Sequence, residues 1–166
     1  LDIKEVAFSA WVPYVGAAFG AFAGGWFAGF LQKKGHSQNF SRKTAMVVGA
    51  CLAMPGIIGA TMATTATMAV LMMAIILFGY QFFCVNIQTL ASDFHYGKTV
   101  GSLAGLGGAS AVLGTITAMF AVPFITTVSW VPFFILGGML FPISLLSVFL
   151  LGGKIQNIDL DEVKKK

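Results

Sequence analysis

The sequence is poor in charge, and this shortage determines the class of protein. Only 10% of its 166 residues are charged, whereas an ordinary soluble domain has about 25%. Hydrophobic residues make up 57% of the chain, and its mean hydropathy is +0.87. The composition excludes an ordinary soluble domain and predicts an all-α integral membrane protein with one helical bundle.

Cysteine and titratable residues within the apolar runs are also scarce. Cys51 and Cys84 lie inside apolar runs, without the spacing of a metal site or a disulfide framework. No His, Asp or Glu lies deep in these runs for acid–base chemistry, so we expect neither an enzyme, a cofactor nor a metal. The sequence begins without Met and without the basic region of a signal peptide. We therefore expect further spans upstream.

Five apolar runs approach or exceed the length of about 20 residues that a membrane-spanning helix needs. We predict a single bundle over 1–153 followed by a polar tail at 154–166, with spans at about 6–31, 44–61, 68–92, 99–128 and 132–151. The basic residues between spans are Lys33, Lys34, Arg42, Lys43 and Lys98, and three more lysines end the tail. By the positive-inside rule, these loops and the C-terminus are cytoplasmic, in a plasma membrane. A net charge of +4 in such short clusters does not indicate a nucleic-acid partner.

Glycine is abundant, with 20 residues, and in two spans it recurs on one helix face. The two stripes are Gly16, Gly20 and Gly24 in the first span and Gly101, Gly105 and Gly108 in the fourth. Small residues at this spacing let a neighbouring helix approach closely. The pattern fits either static packing or an interface that slides.

The third span carries an unusual set of polar side chains towards its C-terminal half. These are Gln81, Asn86, Gln88 and Thr89, set among Phe, Val and Ile. Amides in a membrane helix are costly unless they face a cavity or a partner. We interpret this face as the lining of a polar path, and the alternative is hydrogen bonding that holds helices together. Just beyond it, Asp93 and Lys98 either form a contact or remain solvated.

Three stretches resemble a known family, the anion:cation symporter branch of the major facilitator superfamily, which includes transporters of hexuronates and related sugar acids. They are 11–43, with its Trp-Val-Pro-Tyr and Gly-Gly-Trp-Phe sequences and basic loop, then 78–93, and then the glycine-rich 100–108. The resemblance implies that the five spans correspond to helices 8–12 of a twelve-helix fold, which explains the odd number of spans. One position departs from the family pattern, because Gly29 stands where an acidic residue is usual.

The resemblance implies the C-terminal part of a secondary active transporter that couples protons to the symport of an organic anion, such as a hexuronate, by alternating access. The arginine that holds the anion and the carboxylates that carry protons are then expected in the N-terminal half. Our candidate substrate-binding residues are Gln81, Asn86, Gln88 and Thr89, with Trp11 and Tyr14 as an aromatic wall and Gly108 as a close backbone approach. The expected partners are a small organic anion, protons and membrane lipid. The alternative is a membrane-embedded structural or assembly subunit whose polar helix face binds a partner helix.

Overall fold

The computed structural model describes residues 9–94, 98–127, 131–153 and 155, and within them the chain is helical, without strands. Its helices are α1 (Val12–Lys33), α2 (Gln38–Thr61), α3 (Ala66–Gln88), α4 (Leu90–Phe94), α5 (Lys98–Thr126) and α6 (Val131–Leu151). With α3 and α4 counted as one span, five helices are long and apolar enough to cross a membrane. The predicted all-helical membrane protein with five spans is confirmed. Apart from Ile155, the predicted tail lies outside the described residues.

Helix α2 begins at Gln38, earlier than the predicted start at Thr44. Ser37 caps it, because its Oγ accepts a hydrogen bond of 3.2 Å from the backbone N–H of Phe40. The hydroxyl of Ser41 also donates to the backbone oxygen of Ser37, at 3.0 Å. As a result, Arg42 lies in the second turn of a helix, rather than in the loop to which we assigned it.

Helix α3 lies between α1 and α2, and its contact with α1 is made through glycine. The register places Gly16, Gly20 and Gly24 against Ala74, Phe78 and Phe82. A β-carbon added to Gly16 would lie 2.6 Å from the carbonyl oxygen of Ala74, and one on Gly24 would lie 2.6 Å from that of Phe82. Because both residue numbers rise together along this contact, α1 and α3 run parallel. The close packing predicted from this stripe is confirmed.

On its opposite side, α3 packs equally closely against α2. A β-carbon on Gly49 would lie 2.7 Å from the backbone nitrogen of Phe83. Beside this contact lies an apolar core of buried side chains from α2, α3 and α6. It comprises Met46, Ala50, Ala53, Ile57, Phe83 and Phe141. Helices α1, α2 and α3 thus form a tightly packed layer, and α6 packs against α2.

Helix α5 differs from the other spans in its packing. None of its side chains that the structure describes is buried. A β-carbon added at any of its five glycines would have no neighbour within 4 Å, and these are Gly101, Gly105, Gly107, Gly108 and Gly114. The helix runs without interruption through Pro123. The second glycine stripe is therefore open.

Candidate functional site

Asn86 is the most deeply buried polar residue on the predicted polar face of α3. Its side chain is 0% exposed, and its Nδ2 donates to two backbone oxygens. One is the oxygen of Gly24 on α1, at 3.3 Å, and the other is that of Phe82 one turn earlier on α3, at 2.9 Å. The bond to Gly24 is possible because the glycine stripe brings the two backbones together. Asn86 therefore bridges α1 and α3.

The remaining atom of the Asn86 amide faces Arg42. Its Oδ1 accepts a hydrogen bond of 3.2 Å from Nη1 of Arg42. The same guanidinium donates to both carboxylate oxygens of Asp93, with Nε 2.6 Å from Oδ2 and Nη2 3.3 Å from Oδ1. The side chains of Arg42 and Asp93 are only 15% and 8% exposed. This arrangement is a bidentate, largely buried ion pair with an amide as its third member.

We call Arg42, Asn86 and Asp93 the ion-pair centre, and it joins four helices at one end of the bundle. Arg42 belongs to α2, Asn86 to α3 and Asp93 to α4, while the carbonyl of Gly24 adds α1. Burying a charge is costly unless a partner of opposite charge compensates it. The mutual pairing therefore stabilises one arrangement of these four helices. It also fixes the C-terminal end of α3, where Gln88 and Thr89 lie.

This centre corrects two expectations about the charged residues. Asp93 is not solvated, because it binds Arg42. Its relation to Lys98 is not described, because the side chain of Lys98 lies outside the described residues. Arg42 has a role inside the bundle that we missed when we assigned it only to a topology-determining loop. The available signal was Ser37, a good helix cap that places Arg42 within the following helix.

The other polar residues on α3 have different surroundings. Gln88 is exposed, and its Nε2 has a weak contact of 3.6 Å with Sγ of Cys84. Gln81 is partly exposed, two helical turns before Gln88. The hydroxyl of Thr89 bonds to the backbone oxygens of Val85 and Asn86, at 3.2 and 3.0 Å. Gln81 and Gln88 thus present amide groups on the surface of the helix. Asn86 is engaged between helices, whereas Thr89 bonds to the backbone of its own helix.

The predicted aromatic wall lies near the other end of the same helices. Trp11 and Tyr14 are 58% and 73% exposed at the start of α1. In the register of the glycine stripe, Tyr14 is level with residue 72 of α3, so a rise of 1.5 Å per residue separates it from Gln88 by roughly 24 Å. Gly108 lies on the open face of α5. Asn86 and Thr89 thus lie within one helical turn of Gln88 along the chain, whereas Tyr14 does not lie at that level.

A largely apolar groove of about 350 Å³, which we did not predict from the sequence, lies between α2, α3 and α6. It includes Tyr80, Phe83 and Phe141, with the Tyr80 and Phe141 rings 6.5 Å apart at 79°. Such a lining suits hydrocarbon better than a hydroxylated anion.

Among the residues that the structure describes, no group of three His, Cys, Asp or Glu could hold a metal ion. The amides of α3 and the ion-pair centre thus remain the principal polar features of the bundle.

Comparison with known proteins adds evidence from sequence. The chain is 32% identical over 136 residues to the hexuronate transporter of Escherichia coli K12, an alignment that covers 80% of this chain and 31% of that transporter. It is 29% identical over 121 residues to the D-galactonate transporter of Escherichia coli O6:H1, covering 73% of this chain and 28% of the relative. No family model matches the chain. The chain therefore spans about a third or less of the length of these curated relatives.

Proposed function

We propose that this chain, which belongs to the sugar-acid transporters of the major facilitator superfamily, forms the C-terminal part of a secondary active transporter. It supplies helices 8–12 to a symporter that couples protons to the movement of a hexuronate or another sugar acid by alternating access. The observation that carries this proposal is the 32% identity with a hexuronate transporter over 136 residues. The arginine that holds the anion and the groups that carry protons belong to the upstream helices.

In this proposal, the exposed amides of α3 recognise the hydroxyl groups of the sugar acid. An amide side chain offers both donors and an acceptor, which matches the dual character of a hydroxyl group. Gln81 and Gln88 lie seven residues apart, so they project from nearly the same side of the helix. We assign them to direct contact with the substrate, together with Thr89, whose oxygen retains acceptor capacity. Asn86 contributes through its position between Arg42 and Gly24.

We assign a different role to the aromatic wall, Trp11 and Tyr14, because it lies far from Gln88 along the bundle. With Tyr14 roughly 24 Å from the level of Gln88, a single sugar acid cannot touch both at once. Trp11 and Tyr14 therefore contact the solute at the opposite mouth of the path, at another stage of transport. Gly108 on α5 provides a close backbone approach once the upstream helices surround the path.

We also propose that the end bearing Lys33, Lys34, Arg42 and Lys43 is cytoplasmic, in the plasma membrane. This end contains the C-terminus of α1, the N-terminus of α2 and the ion-pair centre. The support is the positive-inside rule, since basic residues close to the ends of spans are retained in the cytoplasm. The ion-pair centre then holds the cytoplasmic half of α3, and with it Gln88, in register with α1 and α2.

The experiment is an uptake assay on the full-length transporter that contains this chain, in cells lacking their own hexuronate uptake. With radiolabelled glucuronate, Gln81→Ala and Gln88→Ala should each raise KM about fivefold, because each removes one hydrogen-bonding group of about 1 kcal/mol. The matched control is Gln32→Ala, since Gln32 is an exposed glutamine at the end of α1. A protonophore should abolish accumulation if protons drive it.

The results separate the proposal from its alternative. An unchanged KM in both α3 variants would refute the assignment of these amides, while leaving sugar-acid transport itself intact. Absence of uptake, combined with stoichiometric co-purification of an unrelated membrane protein, would instead support the assembly subunit. In that case, the exposed amides of α3 would face a partner helix.

A further inference from the structure

A second, smaller groove lies at the basic end of the bundle, away from the polar face of α3. We call it the basic groove, and its volume is about 300 Å³. It is lined by Asn39, Phe40, Lys43, Thr44 and Val47 of α2 and by Phe149 of α6. The α2 positions share one helix face. The groove therefore follows α2 from its first turn into the apolar part of the span.

In the part of the basic groove near the start of α2, two contacts hold the ammonium group of Lys43 in place. Nζ of Lys43 donates to the backbone oxygen of Gly153, at 2.7 Å, and lies 4.8 Å from the centroid of the Phe149 ring. An ammonium group has three N–H donors, so two remain for another acceptor. Arg42, the adjacent residue, is already compensated by Asp93. In the described part of the chain, Lys43 has no carboxylate partner.

Two neutral donors lie beside this cation. Oδ1 of Asn39 accepts a bond of 3.0 Å from the backbone N–H of Ile155, but no described residue accepts a bond from its Nδ2. The hydroxyl of Thr44 likewise has no partner among residues 9–94, 98–127, 131–153 and 155. Both belong to the first two turns of α2, where the positive end of the helix dipole also favours an anion. Lysine, amide and hydroxyl donors at a helix start suit a phosphate group.

The part of the basic groove deeper in the span is apolar and faces outward. Val47 and Phe149 line it and are 39% and 45% exposed. In a membrane-spanning bundle, such side chains contact hydrocarbon. A cation with neutral donors at the membrane surface, continuous with an apolar slot below, is complementary in charge and polarity to a lipid with a negative headgroup.

We infer that the basic groove binds an anionic phospholipid. Its phosphate oxygens accept hydrogen bonds from Lys43, Asn39 and Thr44, and one acyl chain lies along Val47 and Phe149. Because Lys43 also binds the oxygen of Gly153 just after α6, the bound lipid joins the start of α2 to the end of α6. This site is separate from the amides assigned to the transported solute.

The test uses the full chain in phosphatidylcholine nanodiscs that contain a photoactivatable phosphatidylglycerol with the reactive group on its acyl chain. Crosslinks are mapped by mass spectrometry, and we expect them at residues 40–47 and near Phe149. Lys43→Gln should reduce them about fivefold, the contribution of one lysine at a charged membrane surface. The matched control is Lys34→Gln, because Nζ of Lys34 lies over a phenylalanine ring at 4.6 Å, but outside the groove.

A second variant tests the acyl slot without removing the cation. Val47→Trp fills the deeper part of the groove, and we expect it to reduce crosslinking at these residues while Lys43 remains. Unlabelled phosphatidylglycerol should compete with the probe, and additional phosphatidylcholine should not. The inference is overturned if Lys34→Gln and Lys43→Gln reduce the mapped crosslinks equally, if both lipids compete equally, or if the wild-type chain gives no crosslink in the groove.

Discussion

The two glycine stripes have the same spacing in the sequence but opposite surroundings in the structure. Gly16, Gly20 and Gly24 of α1 lie directly against the backbone of α3, and a β-carbon on Gly16 would approach the oxygen of Ala74 to 2.6 Å. On α5, a β-carbon on Gly101, Gly105 or Gly108 would have no neighbour within 4 Å. The α1 stripe is also connected to the ion-pair centre, because Nδ2 of Asn86 donates to the backbone oxygen of Gly24.

The difference shows what a small-residue pattern can and cannot predict. Glycine at every fourth position permits close approach, because it removes the side chains that would hold two helices apart. It does not specify which helix makes the approach. That depends on the complementary surface, which α3 supplies to α1 through Ala74, Phe78 and Phe82. The open stripe on α5 is consistent with a partner among the upstream helices that we propose for the complete transporter.

The largest expected effect comes from breaking the ion-pair centre at the end of the α1–α3 contact. Asp93→Ala leaves the guanidinium of Arg42 largely buried, and among the described residues Asn86 is then its one remaining partner. We expect a loss of about 3 kcal/mol in the free energy of unfolding, the lower part of the range for a buried pair, since both side chains retain slight exposure. The measurement is an unfolding titration in mixed detergent micelles.

The control for this prediction is a double-mutant cycle. Removing both partners eliminates the uncompensated charge, so Arg42→Ala combined with Asp93→Ala should cost less than the sum of the two single changes. Lys34→Ala, at an exposed position on the same end, should change stability little. Additive single changes would contradict the pairing on which the ion-pair centre depends.

A smaller loss is expected from filling the α1 stripe. Gly20→Ala places a methyl group against the backbone of Phe78, which cannot move aside as a flexible side chain could. We expect a loss of about 2 kcal/mol in the same titration, as for other overpacked contacts. The matched control is Gly25→Ala on the same helix, where a β-carbon has no neighbour within 4 Å. Equal losses at both positions would show that the effect does not arise from helix contact.

Much of the fold could be predicted from hydropathy, because five long apolar runs in a weakly charged chain leave few alternatives. The helix start at Gln38 was missed because the basic residues after it resembled a loop, although Ser37 provides a local cap. Proline does not end a helix at two positions: Pro13 lies in the first turn of α1, and α5 continues through Pro123.

The polar centre was harder to predict, since it depends on contacts between residues far apart in the chain. Arg42 and Asp93 are separated by 51 residues, and only the packing of α2 against α3 brings them together. The sequence identified Asn86 as polar and costly within a membrane helix, but it could not distinguish a substrate contact from a bond to Gly24. The assignment of Gln81, Gln88, Thr89, Trp11, Tyr14 and Gly108 to substrate binding remains a prediction.

The smallest expected effect has the opposite sign and concerns the open stripe. In this chain, Gly105→Ala encounters no neighbour within 4 Å, so the higher helix propensity of alanine should stabilise it by at most about 1 kcal/mol. In the full-length transporter, the same substitution should reduce both stability and glucuronate uptake, because an upstream helix then packs against Gly105. Measuring unfolding of both forms provides the comparison. If Gly105→Ala stabilises the full-length protein as it does this chain, α5 keeps an open face there too, since only a packed helix can reverse the sign.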